Sequence, residues 1–132
     1  MKITIHRGTH EIGGSCVELR TQKTRILVDF GIPLVSSQGE PFDAKTLEGK
    51  SIEELKEQKL LPDIKGLYKN EEKSVDAILI SHSHLDHYGL LNYVHPDIPV
   101  YLSEGAKILI EISNIFVPRG KVGFLNSRVL KN

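Results

Sequence analysis

The sequence predicts an α/β (α+β) domain, a mixed β-sheet with helices on one face. Three observations carry this. An alternating segment at 2–7 precedes two short strand-like segments joined by Gln22-Lys23, which read as a hairpin. Two runs, Ile26-Leu27-Val28 and Ala77-Ile78-Leu79-Ile80, are apolar at successive positions, so both faces of a central sheet want cover. Helical signals near 52–60, 88–94 and 104–116 cover one face only.

Length and charge set broad limits. At 132 residues the chain is one domain at most, large enough to bury a core. A formal net charge of zero argues against a strong non-specific polyanion binder but leaves room for a local basic groove. The single Cys16 cannot form an internal disulfide. With no signal peptide, it fits a reducing, cytoplasmic setting. No apolar run approaches membrane-spanning length, so no membrane partner is expected.

The first strand, 2–7, alternates so that Ile3 and Ile5 point inward. His6 then lies on the polar face, structural or solvated. In the loop 8–14, Gly13-Gly14 permits positive φ or close backbone approach. His10 could reach a site from that loop or simply be exposed. A second strand spans 15–21, with Val17 and Leu19 on one face, and a third spans 24–30. Asp29 falls at the third strand's carboxyl end, where a carboxylate is costly unless paired. It either caps the turn or orients a metal-bound histidine or water.

Residues 33–75 differ in kind, with seven basic and nine acidic residues. They read as a charged excursion on the rim of the sheet. Within it Ser51-Ile52-Glu53-Glu54 is a capping box that starts a helix over 52–60. Leu67 and Tyr68 anchor the excursion's return. After the histidine stretch described next, a helix over 88–94 leads to a strand at 98–102. Ser103 then caps a helix through Phe116 whose apolar stripe is Ile108, Leu109, Ile112 and Ile115. Residues 117–132 form a basic tail carrying Arg119, Lys121, Arg128 and Lys131; it either touches phosphates or is a solvated terminus.

The chemistry concentrates in Ser81-His82-Ser83-His84-Leu85-Asp86-His87. This stretch holds three of the six histidines, where a buried strand runs out into a loop. In extended chain, residues two apart face one side, so His82 and His84 converge. Asp86 and His87 follow at the start of a short helix. Imidazole and carboxylate donors suit zinc, manganese or iron better than calcium or magnesium. Four ligands within six residues are too many for one tetrahedral ion, so the spacing suggests two ions about 3.5–4 Å apart sharing an activated water. His82 and His84 would serve one, Asp86 and His87 the other. A cluster of polar loop residues with one capping histidine is the plainer reading, but it leaves most of these groups without a use.

These residues resemble the metallo-β-lactamase fold superfamily, through the histidine stretch, Asp29 at a strand end and the strand–Gly-Gly–hairpin opening. Ile12-Gly13-Gly14-Ser15-Cys16 together with Ile26-Leu27-Val28-Asp29-Phe30-Gly31 resembles the opening of its RNA-processing branch, the β-CASP and ribonuclease J-like enzymes. The resemblance implies the amino-terminal half of an αββα sandwich over 1–132. It implies two divalent metal ions, most often zinc, on His82, His84, Asp86 and His87. Asp86 would be the catalytic carboxylate and Asp29 its support from behind. It further implies an RNA or other phosphodiester substrate. Family members draw further ligands from downstream segments, and this chain has no histidine after His95 and no acidic residue after Glu111. The expectation is therefore a fragment, inactive alone, that self-associates or pairs with a missing half. The alternatives are a hydrolase of thioesters, lactams or small phosphoesters, or a catalytically dead interaction module. A redox di-iron protein of this superfamily fits less well, since that branch typically has Glu where His84 stands.

Overall fold

The computed structural model describes residues 1–36, 38–116, 122–123 and 126–130. Six strands form one mixed sheet in sequence order: β1 (Lys2–Arg7), β2 (Cys16–Arg20), β3 (Arg25–Val28), β4 (Ala77–Leu79), β5 (Val100–Leu102) and β6 (Ser127–Val129). β1, β2 and β3 are antiparallel, and β3 through β6 run parallel. The helices are α1 (Ile52–Glu57), α2 (Leu85–Tyr88) and α3 (Glu104–Phe116).

Strand register decides which side chains share a face. One face carries Cys16, Glu18, Leu27, Ile78, Ile80, Val100 and Leu102, all buried. The core cluster joins these to Ile52 and Leu55 of α1, to Leu61, Ile64, Leu67 and Tyr68, to Tyr88 of α2 and to Ile110 of α3. Each fully buried aliphatic side chain here contributes about 1.5–3 kcal/mol. The opposite face is apolar but open. Ile3 pairs with Leu19, Leu19 with Ile26 and Ile26 with Ala77 across the strands. A second row runs Ile5, Val17, Val28, Leu79 and Tyr101.

Several expectations change. Ile3 and Ile5 are not inward: they are 59% and 55% exposed, because register aligns them with Leu19 and Val17 on the open face. The polar His6 lies toward the covered side and meets Glu18 at 3.0 Å. The excursion 33–75 is a covering layer rather than a rim, since its irregularly spaced apolar residues build a large part of the core. Its Leu67 and Tyr68 do anchor it, the Tyr68 hydroxyl donating to the carbonyl of Pro62. α1 starts on the Ser51–Glu54 capping box but ends at Glu57, short of 60, with Lys59 at φ 58° closing the turn. The helix expected over 88–94 is instead α2, one turn earlier, and a separate 3₁₀ turn at Leu91–Tyr93. α3 begins as expected, with the Ser103 hydroxyl accepting from Ala106 N at 3.1 Å. Its stripe faces outward, however: Ile108, Leu109, Ile112 and Ile115 are exposed and Ile110 is buried. Within the expected tail, Arg128 sits in β6, which pairs with β5. Arg119, Lys121 and Lys131 lie outside the described residues.

Candidate metal centre

The parallel strands deliver the site. β3 and β4 lie side by side, and the chain leaves both at the same edge of the sheet. Asp29 follows β3 directly, and Ser81 to His87 follow β4 and run into α2. Asp29 adopts φ 63°, a left-handed backbone that turns its carboxylate across to the neighbouring loop. The Asp29 side chain is 7% exposed, yet its carboxylate has partners on both oxygens. Oδ1 accepts from Ser81 N at 2.8 Å, and Oδ2 accepts from Ser81 Oγ at 2.6 Å. Oδ2 also lies 2.8 Å from His87 Nδ1. A proton on Nδ1 satisfies that contact, which leaves the lone pair of His87 on Nε2.

Two donor pairs result. His82 Nε2 and His84 Nδ1 lie 3.1 Å apart. Asp86 Oδ2 and His87 Nε2 lie 3.5 Å apart. Two donors on one tetrahedral zinc ion, each at about 2.0–2.1 Å, are separated by about 3.3 Å, so both spacings fit a shared ion. The pairs adjoin, with the His82 and His87 ring centroids 5.4 Å apart. Among the described residues no point gathers three or more His, Cys, Asp or Glu side chains that could hold a metal ion. The pairs also differ in support. His82 and His84 are exposed, whereas the side chains of Asp86 and His87 are 17% and 24% exposed.

The sequence reading did not single out the groups that hold this arrangement. Arg7 makes a two-pronged ion pair with Glu11, Nε to Oε1 at 3.0 Å and Nη2 to Oε2 at 2.6 Å, and its Nη1 donates to Leu60 O at 2.7 Å. Burial pushes the Glu11 carboxyl upward, but the hydrogen bond and charge of Arg7 outweigh it and hold the group below its ordinary value. This staple fixes the 8–14 loop beside the site. Arg and Glu four residues apart were a faint signal for it. Ser81 donates to Asp29 through both its backbone N and its Oγ, a role that nothing in the sequence marks. His10 is exposed and His6 is committed to Glu18. Buried Cys16 has its thiol pushed by burial up to about 12, which suits an inert core group.

Fold and donors together define an α/β domain of the type found in metal-dependent hydrolases. The chain belongs to the metallo-β-lactamase superfamily, whose description matches residues 11–114. Members of that family bind divalent metals, usually zinc. The chain is similar to a probable RNase, MJ4, of Methanocaldococcus jannaschii, with 33% identity over 115 residues, 85% of this chain and 21% of that protein. It is 31% identical over 103 residues to ribonuclease J of Helicobacter pylori, covering 76% of this chain and 13% of the relative. Transcription termination factor FttA of Methanothermobacter thermautotrophicus is 28% identical over 84% of this chain and 15% of its own length. A crystal structure of a protein of unknown function from Enterococcus faecalis V583 superposes with a TM-score of 0.69 at 27% identity, covering 98% of this chain and 33% of that one. The chain thus spans about a fifth or less of these curated relatives. Among the described residues no helix is long and apolar enough to cross a membrane.

Proposed function

We propose that this chain is the ligand-bearing, amino-terminal half of the metallo-β-lactamase-like domain of a metal-dependent phosphodiesterase that acts on RNA in the cytoplasm. The observation that carries the reading is the two adjoining donor pairs, His82 with His84 and Asp86 with His87, each spaced for one ion. The ribonuclease names of its relatives support RNA as the substrate class. Imidazole with carboxylate favours zinc, with manganese and iron next. Bound there, a pair of such ions would supply an activated water and charge stabilisation at a phosphodiester. The chain's own residues do the holding. Asp29 keeps the Nδ1 proton of His87 in place and so fixes which ring nitrogen is offered. Ser81 in turn fixes the rotation of that carboxylate.

A catalytic zinc normally takes three protein ligands, and each pair offers two. The open face of the sheet is where a further ligand-bearing β-layer would pack, and without it turnover is negligible. Zinc retained after dialysis tests the ligands: it should fall sharply in His82→Ala/His84→Ala and stay unchanged in His6→Ala. Equal zinc in wild type and the double variant would reject the reading. Single-stranded RNA offered beside a thioester, a lactam and a small phosphoester to the chain completed by its second layer separates nuclease from small-molecule hydrolase. A chain that folds, completes and binds no metal is an interaction module.

A further inference from the structure

Two glycines from separate segments close on Asp86 from different directions. At Gly31, a Cβ would stand 1.7 Å from Asp86 O, 2.0 Å from Asp86 C and 2.5 Å from His87 N, so the peptide joining Asp86 to His87 lies directly against its backbone. At Gly13, with φ +75°, a Cβ would stand 2.9 Å from Asp86 Cβ and 2.8 Å from Leu34 Cγ. Around these approaches every carbonyl of 85–87 is held from outside its own turn. Leu85 O accepts from Ile32 N at 3.1 Å, Asp86 O from Ser15 N at 3.2 Å and His87 O from Phe30 N at 2.7 Å. Gly31 N donates to Ser15 O at 3.2 Å, which ties the two outer segments together. His82 and His84 are not among the nearest neighbours of any described glycine, and both residues are exposed.

We propose that Gly13 and Gly31 are positioning residues that clamp the turn bearing Asp86 and His87, so that this donor pair is preformed while His82 and His84 are set by the loop alone. The inference rests on the reading of Asp86 and His87 as a ligand pair. Its physical basis is close approach. A methyl group at 31 cannot coexist with the 86–87 peptide, so that peptide must move, carrying the Asp86 carboxylate and the His87 ring with it. A methyl at 13 presses on the Asp86 side chain itself and adds the strain of a positive φ. Donor pairs tolerate little displacement, since ligand geometry must be held to about 0.5 Å.

The test is site-resolved. The full chain, labelled for NMR of the histidine rings and backbone, is titrated with zinc as wild type, Gly13→Ala and Gly31→Ala. The expected result is that zinc response at His87 weakens by roughly tenfold or more, the scale seen when supporting groups of a ligand are removed, while the response at His82 and His84 is unchanged. Gly13 lies on a partly exposed loop, so Gly13→Ala decides the matter if Gly31→Ala does not fold. Equal weakening at both pairs, or none in a folded variant, would overturn the clamp. Metal-free spectra separate this from failure of the functional reading. If wild type shows no zinc response but the variants shift the resonances of 85–88 and leave those of His82 and His84 in place, the clamp stands and the metal assignment falls.

Discussion

The two faces of the sheet carry similar amounts of aliphatic residue and have opposite fates. On the covered face Leu27, Ile78 and Leu102 are fully buried beneath the helices and the 33–75 layer. On the open face Ile3 and Ile5 are more than half exposed, and Val17, Leu19, Ile26, Val28 and Leu79 are partly buried. The covered face also admits charge. Glu18 sits there at 5% exposure because Arg25 and His6 both reach it at 3.0 Å. The contrast teaches that residue type does not decide which face of a strand is inside; available cover does. A paired carboxylate under cover is tolerated, and an isoleucine without cover is left in water.

The largest expected effect tests the covered face itself. Leu27→Ala removes a fully buried side chain and should cost about 2–5 kcal/mol in urea unfolding. Val28→Ala, one residue along on the open face, deletes less volume from a partly exposed site and should cost under about 1.5 kcal/mol. Comparable losses at low protein concentration would mean that the two faces are equally packed.

Association is the next largest effect. Continuous apolar surface beyond a few hundred Å² on a monomer marks an interface. The isolated chain is expected to scatter light as a dimer or larger species at tens of micromolar, and Ile3→Lys/Ile5→Lys should return it to monomer. α3 offers a rival surface, with Ile115 71% and Phe116 77% exposed. Ile112→Lys should leave association unchanged. If it abolishes association and the β1 double variant does not, the open sheet face is the wrong surface.

The same contrast explains what was legible in the sequence. The strands of the opening hairpin, the capping box at Ser51 and the α3 start at Ser103 are written in neighbouring residues, and the structure carries all of them. The errors at Ile3 and Ile5 and at the α3 stripe share one cause. Periodicity finds an apolar face, but whether anything covers it depends on residues elsewhere. The 33–75 layer was misplaced for a related reason, since Ile52, Leu55, Leu61, Ile64, Leu67 and Tyr68 bury through irregular backbone with no period to detect. At the site, the proposed ligands lie within six residues, so the candidate set is legible in sequence. Their supports are not, because Gly31 meets Asp86 across more than fifty positions of sequence, and Arg7 meets Leu60 likewise.

A third prediction moves the comparison to the edge where both faces end. Asp29→Asn keeps the shape that accepts from Ser81 N but weakens the hold on the Nδ1 proton of His87. Metal affinity should fall by about 10–100-fold with the fold intact, read by competition with a chromogenic chelator. If the variant unfolds while its folded remainder binds metal as before, Asp29 serves only to close the turn after β3.

The smallest effect concerns the charge under cover. Glu18 is held below its ordinary value, first by the hydrogen bond from Arg25, against the opposing push of burial, and then by His6 and the Arg25 charge. A carboxylate depressed in the folded state contributes stability that is present above its unfolded value, near about pH 4.3, and is lost as pH falls through the folded value. Wild type should therefore exceed Glu18→Gln in stability at pH 6, and the gap should narrow as the medium is taken below about pH 4. Val17, next to Glu18 but on the open face, carries no such linkage, and Val17→Thr should shift stability by the same amount at both ends of the range. A gap between wild type and Glu18→Gln that stays constant from pH 6 to pH 3 would show that the ion pairs at Glu18 add nothing beyond packing, leaving burial alone to distinguish the two faces.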